Sequence, residues 1–297
     1  MSIIEESFNR WDSAKSYAER AIAADSGYPD AHAQLARINA ELAESAPVWK
    51  QVGFVRAMKR ELEAAYQLEP ANLDALLVDM MFTFKAPGLV GGGRNKAHEI
   101  AQKILRSNPD WGRMAEAKLA QSENNEASAL RWLRDGSSGN YRIQSSLAQV
   151  LCCMSPHPRL DEAIRIAQTL LRTDAGRQAA YSLLVRSYVV QGKVSEIDGV
   201  LEEAIRNVPD DLSAHYWAAR AMIEQKKDPQ RAEALIRQYL AQEPEGRAPT
   251  VAEARWTLAL ALEQQGRKPE AAKEVKEAYR MRPDLEAVKR DYKRLAE

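Results

Sequence analysis

The sequence predicts an all-α solenoid of helix–turn–helix repeats, on three observations. The first is a period. Residues 144–177, 178–211 and 212–245 align without a gap through the first helix of each unit. Val150, Leu184 and Ala218 then share one column, Leu151, Val185 and Ala219 the next, and Met154, Tyr188 and Met222 a third. The second is a matching run of small and apolar residues in the second helices. Ala163 aligns with Ile197, Ala167 with Leu201 and Leu170 with Ala204; one extra residue brings in Ala232, Ile236 and Tyr239, and Ala271, Val275 and Ala278 repeat the columns. The third is punctuation. Gly192 and Gly266 fall in the same turn, where a positive φ is cheap for glycine. Pro209, Pro244 and Pro283 each close a unit, because proline lacks the amide proton a helix needs. A fixed period of this length marks a solenoid, in which no helix pair buries its apolar face alone and neighbours must stack. Function is thereby constrained to binding along a surface, with the partner left open.

Composition excludes several classes. Lys+Arg 42 balance Asp+Glu 42, so no global field draws nucleic acid or an anionic membrane, and charge-based recognition must be local. Hydrophobic residues make up 45% of the chain, yet no stretch approaches the roughly 20 apolar residues of a membrane span. Neither nucleic-acid binding nor membrane insertion is expected. The opening MSIIEESFNRWD has neither the basic segment nor the apolar run of a secretory signal. Cys152 and Cys153 are neighbours in a predicted helix, where adjacent side chains diverge by about 100°, so no disulfide between them is expected. The chain reads as a soluble helical protein, cytoplasmic as it stands, or periplasmic or exported if a leader precedes it.

The N-terminal half keeps the pattern with larger deviations. Ala14, Ala18 and Ala21 form a second helix starting near Trp11, which leaves residues 2–9 as a short cap or as the end of a unit that continues upstream. PDAHAQLARINAEL is a first helix with Leu35, Ala36 and Asn39 in its core columns. ESAPVWKQV reads as a long connection to a second helix carrying Met58, Leu62 and Ala65. Residues 73–85 supply the next first helix, and Ala97, Ala101 and Ile104 its partner before Pro109. Residues 112–135 read as a shortened pair, and DGSSGN at 135–140 as a kink or weak boundary. The expected organisation is divergent repeats over 1–140, regular repeats over 141–285 and a capping helix over 286–297. The charged, amphipathic DLEAVKRDYKRLAE suits a terminal cap.

The matched columns, the Gly192 and Gly266 turns and the closing prolines resemble the tetratricopeptide repeat family, strongly over 144–285, moderately over 10–110 and weakly over 111–143. That resemblance implies a right-handed α-solenoid whose first helices line a concave groove. It also implies a non-catalytic scaffold for peptides or subunits. The segment KAPGLVGGGRNKA at 85–97 is similar to a loop of bacterial tetratricopeptide proteins, many of them exported.

Two candidate sites stand out. In the glycine-rich loop, Gly91, Gly92 and Gly93 precede Arg94 and Lys96 at a helix start, where consecutive amides and two cations suit a phosphate or carboxylate. The competing reading is an enlarged turn with Asn95 as N-cap and Leu89 and Val90 tucked onto the array; the lack of a preceding strand and of a hydroxyl after Lys96 excludes a nucleotide P-loop. In the groove, the family's geometry points one column inward, here Cys152, Arg186, Arg220 and Leu260, with Arg37 in an early unit. One turn earlier lie Ala148, Ser182, Tyr216 and Trp256, with Trp217 alongside. Arg186, Tyr216, Trp217, Arg220 and Trp256 therefore make a basic–aromatic stretch suited to an acidic or carboxylate-bearing partner, unless the arginines merely pair with Glu224 or Glu253. The chaperone-tail clamp of some family members needs asparagine in this column and is disfavoured. His32, His98, His157 and His215 lie in four different units without metal-ligand spacing, so neither a metal nor a cofactor is expected, and no catalytic constellation is found. The leading reading is a protein-interaction scaffold. The runner-up is a small-ligand or anion carrier using the loop or the groove aromatics.

Overall fold

The computed structural model describes residues 1–7, 10–88, 91–155, 157–243 and 249–296. Among them every regular element is helical. The chain divides into two compact units, Met1–Ile143 and Gln144–Glu297.

The first unit holds α1 (Ser2–Ser7), α2 (Trp11–Ala24), α3 (Pro29–Ser45), α4 (Val48–Leu68), α5 (Leu73–Lys85), α6 (Arg94–Ser107), α7 (Pro109–Ser122) and α8 (Glu126–Arg134). Its core shows why these helices stack. α3 gives Leu35 and Ile38 to a cluster with Ala14 and Ala18 of α2, and Ala33 and Ala36 to another with Met58, Leu62 and Ala65 of α4. α5 does the same one step on: Ala75 and Val78 join the α4 cluster, while Leu76 and Met80 pack with Ala97, Ala101 and Ile104 of α6. Each first helix thus completes two cores, which makes the array cooperative from pair to pair. Asn72, Asn108 and Asn125 cap α5, α7 and α8 by accepting backbone amides, satisfying donors that a helix start leaves open.

The second unit begins within α9 (Tyr141–Gln149), which runs into a π-helical turn at Val150–Met154. It continues through α10 (Leu160–Thr173), α11 (Gln178–Gln191), α12 (Val194–Asn207), α13 (Ser213–Glu224), α14 (Pro229–Leu240), α15 (Val251–Gln264), α16 (Lys268–Met281) and α17 (Glu286–Ala296). All the second-helix columns read from the sequence are buried, from Ala163, Ile197, Ala232 and Ala271 to Leu170, Ala204, Tyr239 and Ala278. Gly192 and Gly266 take φ of 75° and 79° and close their helices alike. The amides of Lys193 and Arg267 reach back to the carbonyls of Tyr188 and Leu262, each at 2.9 Å, a Schellman closure. The same closure recurs without glycine at Asn124 (φ 58°) and Lys226 (φ 54°).

Three expectations are corrected. ESAPVWKQV is not a long connection: α3 ends at Ser45 and α4 already begins at Val48, with the Gln51 amide group donating to Ala46 O at 3.0 Å across the tight turn. Met154 does not enter the core column of Tyr188 and Met222 but is 45% exposed. The π turn takes in an extra residue, so residues after Val150 fall out of the angular register that an α-helix would hold. Cys152 and Cys153 are joined in a disulfide, contrary to the expectation of none, and both lie in this π turn rather than in regular α-helix. Residues Phe8, Asn9 and Pro244 lie outside the described residues.

Two substitutions probe this architecture. Ala271 is fully buried, and Ala271→Leu is expected to cost roughly 1–3 kcal/mol through overpacking, seen as a lower urea midpoint. An unchanged midpoint would place the residue elsewhere. Lys226 holds a left-handed conformation that costs a side-chain-bearing residue about 1–2 kcal/mol. Lys226→Gly, which releases that cost against a looser unfolded chain, is expected to raise stability by about 0.5–1 kcal/mol in the same measurement.

Candidate binding site on the first-helix layer

Within the second unit α11, α13 and α15 pack side by side as one layer, backed by α12, α14 and α16. Because each is covered on most sides, only a stripe of each stays partly open. Between Ala180 and Val190 of α11, only Arg186 and Val190 are not buried. In α13 the open positions are Ser213, Trp217, Arg220 and Glu224, and in α15 they include Glu253, Trp256, Leu260 and Glu263. The spacing of three and four residues is that of a single helix face.

These stripes interlock. The Arg186 guanidinium lies 4.4 Å from the centroid of the Trp217 ring, and that of Arg220 lies 4.3 Å from the Trp256 ring. Each arginine reaches the tryptophan of the next first helix, giving a staircase of two cation–π contacts. Arg220 also donates from Nε to Glu224 Oε1 at 2.7 Å, while its Nη1 is buried without a partner. Trp256 donates from Nε1 to Asp291 Oδ2 of α17 at 2.9 Å. Burial alone would raise the Asp291 pKa, but hydrogen bonds from Trp256, Arg290 and Arg294 outweigh it and hold the carboxyl below its ordinary value. Arg186 differs from Arg220: among the described residues no carboxylate or carbonyl pairs with its guanidinium. Burial lowers its pKa from the ordinary arginine value, with the Glu224 charge acting in the opposite sense and Arg220 adding to the lowering.

The remaining expected residues fall elsewhere. Tyr216 is 4% exposed and belongs to the core, not to an open face. Its ring packs 5.6 Å from Tyr239 and edge-on to Trp217 at 5.1 Å, and its hydroxyl lies 3.5 Å from that of Thr257. The column one turn before the arginines points into the next pair, so Ala148 and Ser182 are buried as well. Only Trp256 in that column stays partly open. Cys152 is buried too. Arg37 sits in the first unit, where Glu6 and Gln34 hold its guanidinium. Glu224 does pair with an arginine, whereas Glu253 instead forms a capping box with Thr250. Asp291 is the residue sequence reasoning missed; nothing in its local pattern marks the indole that it receives from another helix.

The glycine loop is built differently from an anion nest. The amides of Gly91, Gly92 and Gly93 donate to the carbonyls of Gly88, Pro87 and Thr83 at 3.0, 3.1 and 2.8 Å, so none of the three is left to bind a ligand. A Cβ at Gly92 would stand 1.7 Å from Ala86 O, so glycine is required there by close approach. Gly93, not Asn95, is the N-cap of α6, and the Arg94 guanidinium rests 5.9 Å from the Phe84 ring centroid. Leu89 and Val90 lie outside the described residues. An open depression of 580 Å³ runs along α6, lined by Asn95, His98, Glu99, Gln102, Lys103 and Arg106; the glycines and Arg94 do not line it.

The histidines are dispersed. His32 is hydrogen-bonded to buried Glu61 at 2.8 Å and His98 to Glu116 at 2.7 Å. Burial lowers the His215 pKa. Among the described residues no group of three or more potential ligands could hold a metal ion, and no helix is long and apolar enough to cross a membrane.

Comparison with known proteins agrees with the repeat geometry. Residues 183–246 and 225–286 match the sequence model of the tetratricopeptide repeat family. No curated protein matches the chain in sequence. A tetratricopeptide repeat protein of Parabacteroides merdae superposes with a TM-score of 0.57 at 17% identity, over 86% of this chain and 97% of that one. Yeast Tom70 gives 0.60 at 12% identity, over 95% and 58%. Human IFIT1, solved as a dimer with PPP-AAAA, gives 0.52 at 14% identity, over 91% and 68%. At these identities the likeness shows the fold alone. The sequence match places tetratricopeptide repeats over residues 183–286, and the structural likeness extends the same repeat fold over most of the chain. Repeats of this kind generally mediate protein–protein interactions, and proteins of this fold are typically non-catalytic scaffolds.

Since the glycine amides are occupied, phosphate and sulfate are expected to stabilise the protein only as salting-out anions do. Melting curves at equal ionic strength are expected to show the same anion effect in the wild type and in an Arg94→Ala, Lys96→Ala variant. A stabilisation lost in the variant would restore the loop as an anion site.

Proposed function

We propose that the protein is a non-catalytic interaction module that takes an extended peptide segment or partner subunit, acidic or carboxylate-bearing, along the first helices α11, α13 and α15. The staircase of Arg186 on Trp217 and Arg220 on Trp256 supports this most directly. It presents planar side chains already held in one arrangement, so little entropy is lost when a partner covers them, and such residues dominate binding hot spots. One face of each tryptophan is covered by arginine, which leaves less aromatic surface for stacking successive bases than a single-strand binder offers. The balanced formal charge of +0 likewise favours local carboxylate recognition over general polyanion binding. The occupied glycine amides weigh against the anion-carrier reading.

A random peptide library displayed on phage tests this. Panning against the wild type is expected to enrich acidic sequences, and the Arg186→Glu, Arg220→Glu variant is expected to lose them. The reversal should lower stability by only about 1–2 kcal/mol, the scale of two partly exposed cation–π contacts. Enriched peptides that bind the variant equally would move the site off this layer. A 5′-triphosphate oligoadenylate is expected not to bind; tight, Arg186-dependent binding of that probe would replace the peptide reading with a nucleic-acid one.

A further inference from the structure

Although Arg186 and Arg220 stand 34 residues apart in matching columns, the structure makes them unequal. Arg220 is neutralised by Glu224 at 2.7 Å, whereas Arg186 has no ion-pair partner among the described residues. The charged and polar groups that act on Arg186 are Glu224, Tyr216 and Arg220. Two guanidinium charges and one carboxylate charge leave a single positive charge, centred on the unpaired guanidinium. A singly charged carboxylate balances it, while a phosphate dianion would leave an uncompensated charge in a half-buried position.

The next step of the layer is apolar. Leu260 of α15 occupies the same column and is partly open, one turn beyond Trp256. The acidic residues flanking this step are already engaged: Glu253 with Thr250, and Glu263 with Arg294. The column therefore reads unpaired cation, neutralised cation, apolar surface from α11 to α15. Packed helices lie about 8–10 Å apart and the Arg186 guanidinium already rests on Trp217 of α13, so the step left to α15 is roughly one helix spacing, which an extended chain crosses in about three residues at 3.3–3.6 Å each.

We propose that the layer selects an extended segment with one acidic side chain seated on Arg186 and an apolar side chain about three residues away on Trp256 and Leu260. The inference rests on the reading of this layer as a peptide site and adds the partner's charge, spacing and apolar anchor. Arg186 acts as the carboxylate receptor, using the planar fork that suits bidentate pairing. Arg220, held between Glu224 and Trp256, spaces the two anchors without taking a charge of its own.

The probe is the end-blocked peptide Asp-Gly-Ser-Leu, titrated into the full chain. The readout is the indole N–H resonances of Trp217 and Trp256 in nuclear magnetic resonance spectra, assigned with Trp217→Phe and Trp256→Phe. Saturable shifts at both indoles are expected. Replacing the peptide's Asp by Asn, or its Leu by Ser, or shortening it to Asp-Leu, is expected to weaken binding, the first by about tenfold, as loss of a charge-assisted hydrogen bond implies. Arg186→Gln is expected to weaken it by about tenfold as well, on the same grounds. Arg280→Gln combined with Glu277→Gln removes an exposed ion pair of α16 outside the layer, leaves the net charge unchanged and is expected to leave binding unchanged. Equal losses from the two protein variants, or indifference to Asn, to Ser or to the shorter spacing, would overturn the proposal. So would the absence of saturable shifts. If library-selected peptides still bind at Trp217 in that case, only this inference falls; if they do not, the peptide-site reading falls with it.

Discussion

The first helices α3 and α5 each complete a core on both of their sides, and much of the structure follows from that demand. α3 divides its apolar residues between α2 and α4, α5 divides its own between α4 and α6, and α11 is so fully enclosed that only Arg186 and Val190 stay open between Ala180 and Val190. A helix committed in this way has one narrow stripe left for anything other than stability. What the array offers a partner from this layer is therefore decided by two to four positions per helix, repeated at the spacing of the units.

Those positions in the second unit are filled by residues that order one another before any partner arrives. Arg186 and Arg220 lie flat on Trp217 and Trp256, and Trp256 is tied by its indole nitrogen to Asp291 in the closing helix. Each contact is modest, on the order of 0.5–1 kcal/mol at an exposed site, so their value lies in holding planar groups in place rather than in the stability of the fold. The arginine of the first unit has the opposite fate. Arg37 is turned inward to Glu6 and Gln34, so a similar column position presents a charge in one unit and consumes it in the other.

The repeat columns were legible because a period is a property of the chain. Val150, Leu184 and Ala218 share a column whether or not anyone knows what covers them, and their burial follows once the units stack. The failures share a cause. Met154 and the cysteine pair were placed by α-helical angles, which a π turn alters locally without any signal in residue type. Tyr216 was assigned to the open face on the analogy of its column, but that column meets α14 and α15 and is sealed by Tyr239 and Thr257. The glycine run suggested free amides; whether amides are free depends on which carbonyls come near, and those of Pro87 and Thr83 do.

The sequence by itself determined the helical class, the 34-residue unit, the turns at Gly192 and Gly266 and the pool of residues from which a site is drawn, since these follow from periodicity and from the backbone limits of glycine and proline. Only the tertiary structure decided which members of that pool meet. Arg186 finds Trp217 on the next helix and no carboxylate, Arg220 finds both Trp256 and Glu224, and Asp291 reaches Trp256 from 35 residues away. The reason is physical: the electrostatic character of an arginine is set by distances of a few ångströms to groups remote in the chain, and those distances exist only after the helices have packed.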